Sequence, residues 1–78
     1  NQLEEIHPGF LARLFIKHPQ ITQNDRKLCA YLILKLSSKE IAGLLNITPK
    51  SVEIARVRLR KKLKLSTKIR LVNYLLHI

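Results

Sequence analysis

Apolar residues recur along this chain at spacings of three and four, and strict alternation never lasts more than a few positions. That rhythm predicts helices rather than strands, five of them joined by short turns. The first is expected over about 8–18, with Pro8 at its first position, a stripe of Phe10, Leu11, Leu14 and Phe15, and Pro19 as its stop. Residues 1–7 either add a helical turn before it or fray. In "ITQNDRKLCAYLILKL", Thr22 followed by Asp25 approximates a capping box, so a second helix should run from about Gln23 to Lys35. Ser37 with Glu40 repeats the device and opens a short helix that ends near Asn46, a residue that tolerates the left-handed backbone of a tight turn. Thr48 caps a fourth, with Pro49 at its first position and an end near Leu63, and Ser66 or Thr67 should cap the last, through Leu76.

Residues 38–57 read best as one unit, a short helix, a tight turn and a longer helix, which is the layout of a helix-turn-helix. Ala42 provides the small side chain that a steep crossing needs, and Ile47 is expected to plug the gap beneath the turn. Val52, Ala55, Leu59 and Leu63 form an inward stripe; Lys50, Glu53, Ile54, Val57, Arg58 and Lys61 face out. Phe10, Leu14, Phe15, Leu28, Leu32 and Leu36 are expected to join the first helix to the core.

Charge sharpens this picture. Residues 1–36 hold five Lys/Arg against three Asp/Glu and residues 37–78 hold ten against two, so net charges of +2 and +8 make up the total of +10. A basic C-terminal half admits nucleic acid, an anionic membrane surface or an acidic protein as partner, and charge alone does not choose. A charge run is most often a solvated face; over a helix-turn-helix it points to the major groove of double-stranded DNA, which an α-helix fits.

With 78 residues there is room for one domain, and its core must be economical. The opening "NQLEEI" looks like the excised end of a longer protein, whose N-terminal part is missing from this chain. No apolar run reaches membrane-spanning length and no signal pattern opens the chain, so a soluble cytoplasmic protein without membrane contact is expected. Cys29, the one cysteine, has no internal partner and sits in an apolar run, as a small core residue would. His7, His18 and His77 are scattered, so neither a metal nor another cofactor is expected, and no nucleophile, base and orienting group recur together, so the chain is not expected to be an enzyme. Tyr31 and Tyr74 are too few to stack single-stranded bases.

Four segments, "IT..D..L" at 21–28, "LSSKEIAGLLNIT" at 36–48, "SVEIAR" at 51–56 and "RKKLKL" at 60–65, make the chain similar to the LuxR-type (GerE-like) DNA-binding domains of bacterial transcription regulators. The match runs without a gap from Ile21 to about Leu65 and more loosely to Leu76. "HPGFLARLFIKHPQIT" resembles the prefix helix of a subgroup with large sensory or repeat-containing N-terminal parts. The resemblance implies an all-α fold: a four-helix LuxR-type bundle with an extra N-terminal helix, residues 1–20 as the prefix packed on a domain of 21–78, and a recognition helix at about 49–63. It implies base-reading side chains at Glu53, Ile54 and Val57, and phosphate contacts at Lys39, Thr48, Lys50, Ser51 and Arg58, with Lys61 and Lys62 in reach of the backbone. It also implies homodimerisation through the last helix, whose stripe is Ile69, Val72, Leu75 and Leu76.

Departures from the family pattern bear on specificity. Lys35 stands where relatives commonly have the glycine that closes a helix, so either a left-handed lysine costs about 1 kcal/mol or that helix ends differently. Glu53 and Val57 replace residues that are often Lys or Arg, and Ala55 one that is often His. For Glu53 two readings stay open: accepting from the exocyclic amine of a cytosine, or pairing along its own helix with Lys50 or Arg56. Two rival readings of the chain are a sigma-factor-like promoter-binding module and a basic amphipathic module for an anionic membrane or acidic protein.

Overall fold

The computed structural model describes residues 2–78, and among them there are six helices and no strand. They are α1 (Gln2–Ile6), α2 (Phe10–Lys17), α3 (Gln23–Ile33), α4 (Ser38–Leu45), α5 (Pro49–Lys62) and α6 (Leu71–Leu76). The extra turn of helix admitted before Pro8 is α1; Asn1 lies outside the described residues. Helix α3 is the hub, packing against α2, α5 and α6, while α4 packs on α5. The core is one cluster in which Leu14, Cys29, Ile41, Val52 and Leu59 are fully buried. Each such aliphatic side chain contributes about 1.5–3 kcal/mol relative to exposure.

Helix starts follow local chemistry. Thr22 Oγ1 accepts from Asp25 N at 3.1 Å while the Asp25 carboxylate accepts from Thr22 N at 3.0 Å, and Ser37 and Glu40 make the same reciprocal pair at 3.1 and 2.9 Å. The Ser37 backbone N–H, and then the Ser37 hydroxyl, hold the Glu40 carboxyl below its ordinary range. Thr48 Oγ1 accepts from Ser51 N at 3.1 Å, and Pro49 occupies the first turn, where its missing N–H leaves no bond unmade.

The ends of α3, α4 and α5 are closed by left-handed residues that are not glycine: Lys35 (φ 63°), Asn46 (φ 58°) and Lys64 (φ 57°). After α3, Leu36 N reaches Tyr31 O at 3.2 Å and Lys35 N reaches Leu32 O at 3.0 Å; after α5, Leu65 N reaches Arg60 O and Lys64 N reaches Lys61 O, both at 3.1 Å. Both are Schellman closures, so two lysines adopt the conformation that glycine takes without strain.

Five expectations need correction. The first long helix begins at Phe10 and not Pro8, because Gly9 turns left-handed (φ 73°) between α1 and α2. The second ends at Ile33, two residues short of Lys35, where the closure just described begins. Phe15 is 54 % exposed: Phe10 and Leu14 take the inward direction of α2, and Phe15, about 100° round from Leu14, falls past the edge of α3. Ile47 is 41 % exposed, since the left-handed Asn46 carries it outward while Ile41, Ala42 and Val52 close the volume beneath the turn. The last helix starts at Leu71, and neither Ser66 nor Thr67 caps it. Ser66 O accepts from Ile69 N at 3.2 Å and from Arg60 Nη2 at 2.7 Å, which makes a turn of the residues that were expected to begin the helix.

Candidate nucleic-acid interface

The outward face of α5 is built at spacings of three and four. Lys50, Ile54, Val57, Arg58 and Lys61 are all exposed on one side of the helix, opposite the buried Val52, Leu59 and Leu63. Ile54 is 45 % and Val57 54 % exposed, which leaves two branched apolar side chains in solvent between three cations. None of these three cations has an acid within 4 Å among the described residues. Ser51 lies at the helix start, where its hydroxyl accepts from that of Thr48 at 2.9 Å. Lys39 is exposed on the first turn of α4.

The other basic residues of the run divide by what they touch. Arg60 pins the turn at Ser66, and Lys62 Nζ forms a 2.7 Å ion pair with Asp25 Oδ2. Burial alone would raise the Asp25 carboxyl, but the Lys62 bond and then the donors on Thr22 bring it below its ordinary range. Asp25, Ser51, Ile54, Arg58 and Lys62 edge a shallow cleft of about 360 Å³ between α3 and α5. Lys62, expected at the DNA backbone, is thus tied to α3 in the free domain.

Glu53 does not pair along its own helix. Its Oε1 accepts a hydrogen bond from the hydroxyl of Ser38, the first residue of α4, and it has no ion pair with Lys50 or Arg56. The carboxylate therefore bridges the two helices of the helix-turn-helix close to the start of α4. Sequence patterns did not reveal this contact, because its partners lie 15 residues apart.

A family model described as GerE, bacterial regulatory proteins of the luxR family, matches residues 20–75. The chain belongs to that family. Searches of the curated proteins and of the solved structures gave no match. In luxR-family terms, α4 and α5 are the helix-turn-helix of a DNA-binding domain of transcription regulators, in an all-α bundle. Nothing in that family role is enzymatic, and among the described residues no three His, Cys, Asp or Glu side chains are grouped to hold a metal. Among the described residues no helix is long and apolar enough to cross a membrane. Cys29 is fully buried, and burial, with the Asp25 charge adding to it, pushes its thiol up to about 12. It is an inert core residue.

The stripe expected at the dimer contact is split. Leu75 is 1 % exposed and packs in the core, a correction to its place among dimer-face residues. Ile69 precedes α6 and is exposed, as is Leu76, while Val72 is half-buried. The physical reason is the late start of α6: six residues cover one face of α3, and Leu71 and Leu75, four apart, take the inward direction.

Proposed function

We propose that this chain is the C-terminal DNA-binding part of a longer bacterial, cytoplasmic transcription regulator and binds double-stranded DNA sequence-specifically with α5 in the major groove. The carrying observation is the pair Ile54 and Val57, exposed between Lys50, Arg58 and Lys61. A face meant only for solvent has no use for two branched apolar side chains at its centre, whereas thymine methyl groups in the groove do. Lys50, Arg58 and Lys61 flank them at positions suited to phosphates, with Lys39, Thr48 and Ser51 near the start of the docked helix; Lys62 joins them only by leaving Asp25.

Glu53 is the third base-reading side chain, set by Ser38 so that its remaining lone pairs can accept from a cytosine amine. Ser38 is then a positioning residue. Two copies, paired through Ile69, Val72 and Leu76, place their recognition helices about 34 Å apart on two half-sites. Residues 1–20 serve as a prefix that joins this domain to an N-terminal sensory or repeat-containing region.

Selecting sites from a random duplex pool tests this reading. The wild type should return a defined motif, Glu53→Lys a motif changed at one base pair, and Ser38→Ala the wild-type motif with weakened preference at that same pair. If Glu53→Lys only tightens binding to all sequences, Glu53 is no base reader; if no motif emerges from the wild type, sequence-specific binding is wrong.

A further inference from the structure

Helices α1, α2 and α3 enclose a half-open hollow of about 610 Å³ that DNA recognition does not use, since no residue of α4, α5 or α6 lines it. Its floor is apolar: Leu3 from α1, Leu11 from α2, Ala30 from α3 and Leu34 just after it. Phe15, the aromatic residue that was expected in the core and is exposed, forms one wall. Two cations, Arg26 and Lys27, also line it, with Tyr31.

These cations are held without an acid. The Arg26 guanidinium lies 5.7 Å from the Phe15 ring centroid and uses one donor, Nη1, on Ile21 O at 3.1 Å, which fixes it there with further N–H groups free. Lys27 is exposed and has no partner among the described residues. Two carboxylates that could have answered them are engaged elsewhere, Asp25 with Lys62 and Glu4 with Gly9 N at 3.0 Å. A hollow of this volume with an apolar floor and two unanswered positive charges in its lining has the size and character of a small-molecule site. For a protein partner the ground is narrow, because stable interfaces need about 800 Å² per side and the apolar surface here gives way to Gln23, Arg26 and Lys27.

We propose that this hollow binds an anionic amphiphile, a small molecule with an aliphatic or aromatic body on the Leu11–Ala30–Leu34 floor and a carboxylate or similar anion at Arg26 and Lys27. The hollow shares no lining residue with the cleft beside α5.

Dodecanoate, titrated below micelle formation and followed by backbone amide shifts, is the direct probe. Saturable one-to-one binding with shifts concentrated at Leu11, Ala30 and Leu34 is expected. Decanoate, two methylenes shorter, should bind about fifteenfold more weakly, since each buried methylene is worth roughly fourfold. Lys27→Gln should weaken dodecanoate about fivefold through loss of a charge-assisted contact, and Phe15→Ala, at an exposed position that folding does not need, should weaken it similarly. The proposal is overturned if shifts spread over the C-terminal basic face, if dodecyltrimethylammonium binds equally well, or if neither variant changes affinity. It is also overturned if an acidic amphipathic peptide shifts these amides while dodecanoate does not, in which case the occupant is a protein segment.

Discussion

Helices α5 and α6 both lay an apolar stripe against α3, yet they begin differently and leave different surfaces behind. Helix α5 starts on a side-chain cap, Thr48, followed by proline, and runs 14 residues, far longer than its buried contacts at Val52 and Leu59 require. Helix α6 has no side-chain cap and is six residues long, with Leu71 and Leu75 buried. The length of α5 beyond its packing presents a whole outward face of cations and branched apolar side chains. The shortness of α6 gives most of its apolar content to the core and leaves Ile69, Leu76 and part of Val72 outside. A helix that serves a partner is recognised by what it keeps outside after its core contacts are met; on the function proposed above, α5 meets a large polyanion and α6 a small apolar contact.

The most forceful way to break the comparison is to exchange the roles of neighbouring leucines in α6. Leu75→Ala should lower stability by about 2–4 kcal/mol, the usual cost of a cavity at a fully buried leucine, whereas Leu76→Ala should cost under about 1 kcal/mol. Leu76→Ala should instead weaken self-association, which sedimentation at increasing concentration would read. Equal destabilisation by the two would mean that α6 has no outer apolar face.

On α5, Lys50→Ala with Arg58→Ala should lower duplex affinity about 50-fold, leave the melting temperature within a few degrees, and reduce the salt slope by about 2. Retained duplex affinity together with lost binding to anionic vesicles would give the basic face to a membrane instead. At the closure of α3, Lys35→Gly should stabilise the domain by about 1 kcal/mol, because the left-handed backbone at φ 63° strains lysine and not glycine.

The smallest effect concerns the bond between α2 and α6, His18 Nε2 to Tyr74 Oη at 2.6 Å, with Lys17 Nζ 5.5 Å from the Tyr74 ring centroid. Burial, and then the Lys17 charge, hold the His18 imidazole below its ordinary value. The unfolded chain therefore takes up a proton on His18 more readily than the folded one. Its contribution is complete above about pH 6.5, the unfolded value, and is lost as pH falls below it. His18→Gln should flatten the stability profile between about pH 7 and 5, measured by denaturant unfolding.

The contrast between the two helices also marks how much the sequence revealed. Thr22 with Asp25, Ser37 with Glu40, Thr48 with Pro49 and the left-handed Asn46 are decisions made within four residues, so the starts of α3, α4 and α5 and the turn of the helix-turn-helix were legible. The start of α6 is set by Arg60 reaching Ser66 O, a tertiary bond that no capping pattern announces, and the false signal was the presence of Ser66 and Thr67 themselves. Phe15 and Leu75 were misplaced for one reason: periodicity fixes which residues share a stripe, while the width of the neighbouring helix decides how much of the stripe is covered. The exposed face of α5 was legible as a face. The contacts that sort its residues, Ser38 on Glu53 and Asp25 on Lys62, join positions 15 and 37 apart and emerged only with the fold.

Whether the cations of α5 meet phosphates is tested most directly by the salt dependence of binding to duplex DNA. Five or six phosphate contacts from Lys39, Lys50, Arg58, Lys61 and their neighbours predict that log affinity falls against log salt with a slope near −5, since each contact releases about 0.9 of a counterion. A slope near zero would contradict a recognition helix docked in the groove.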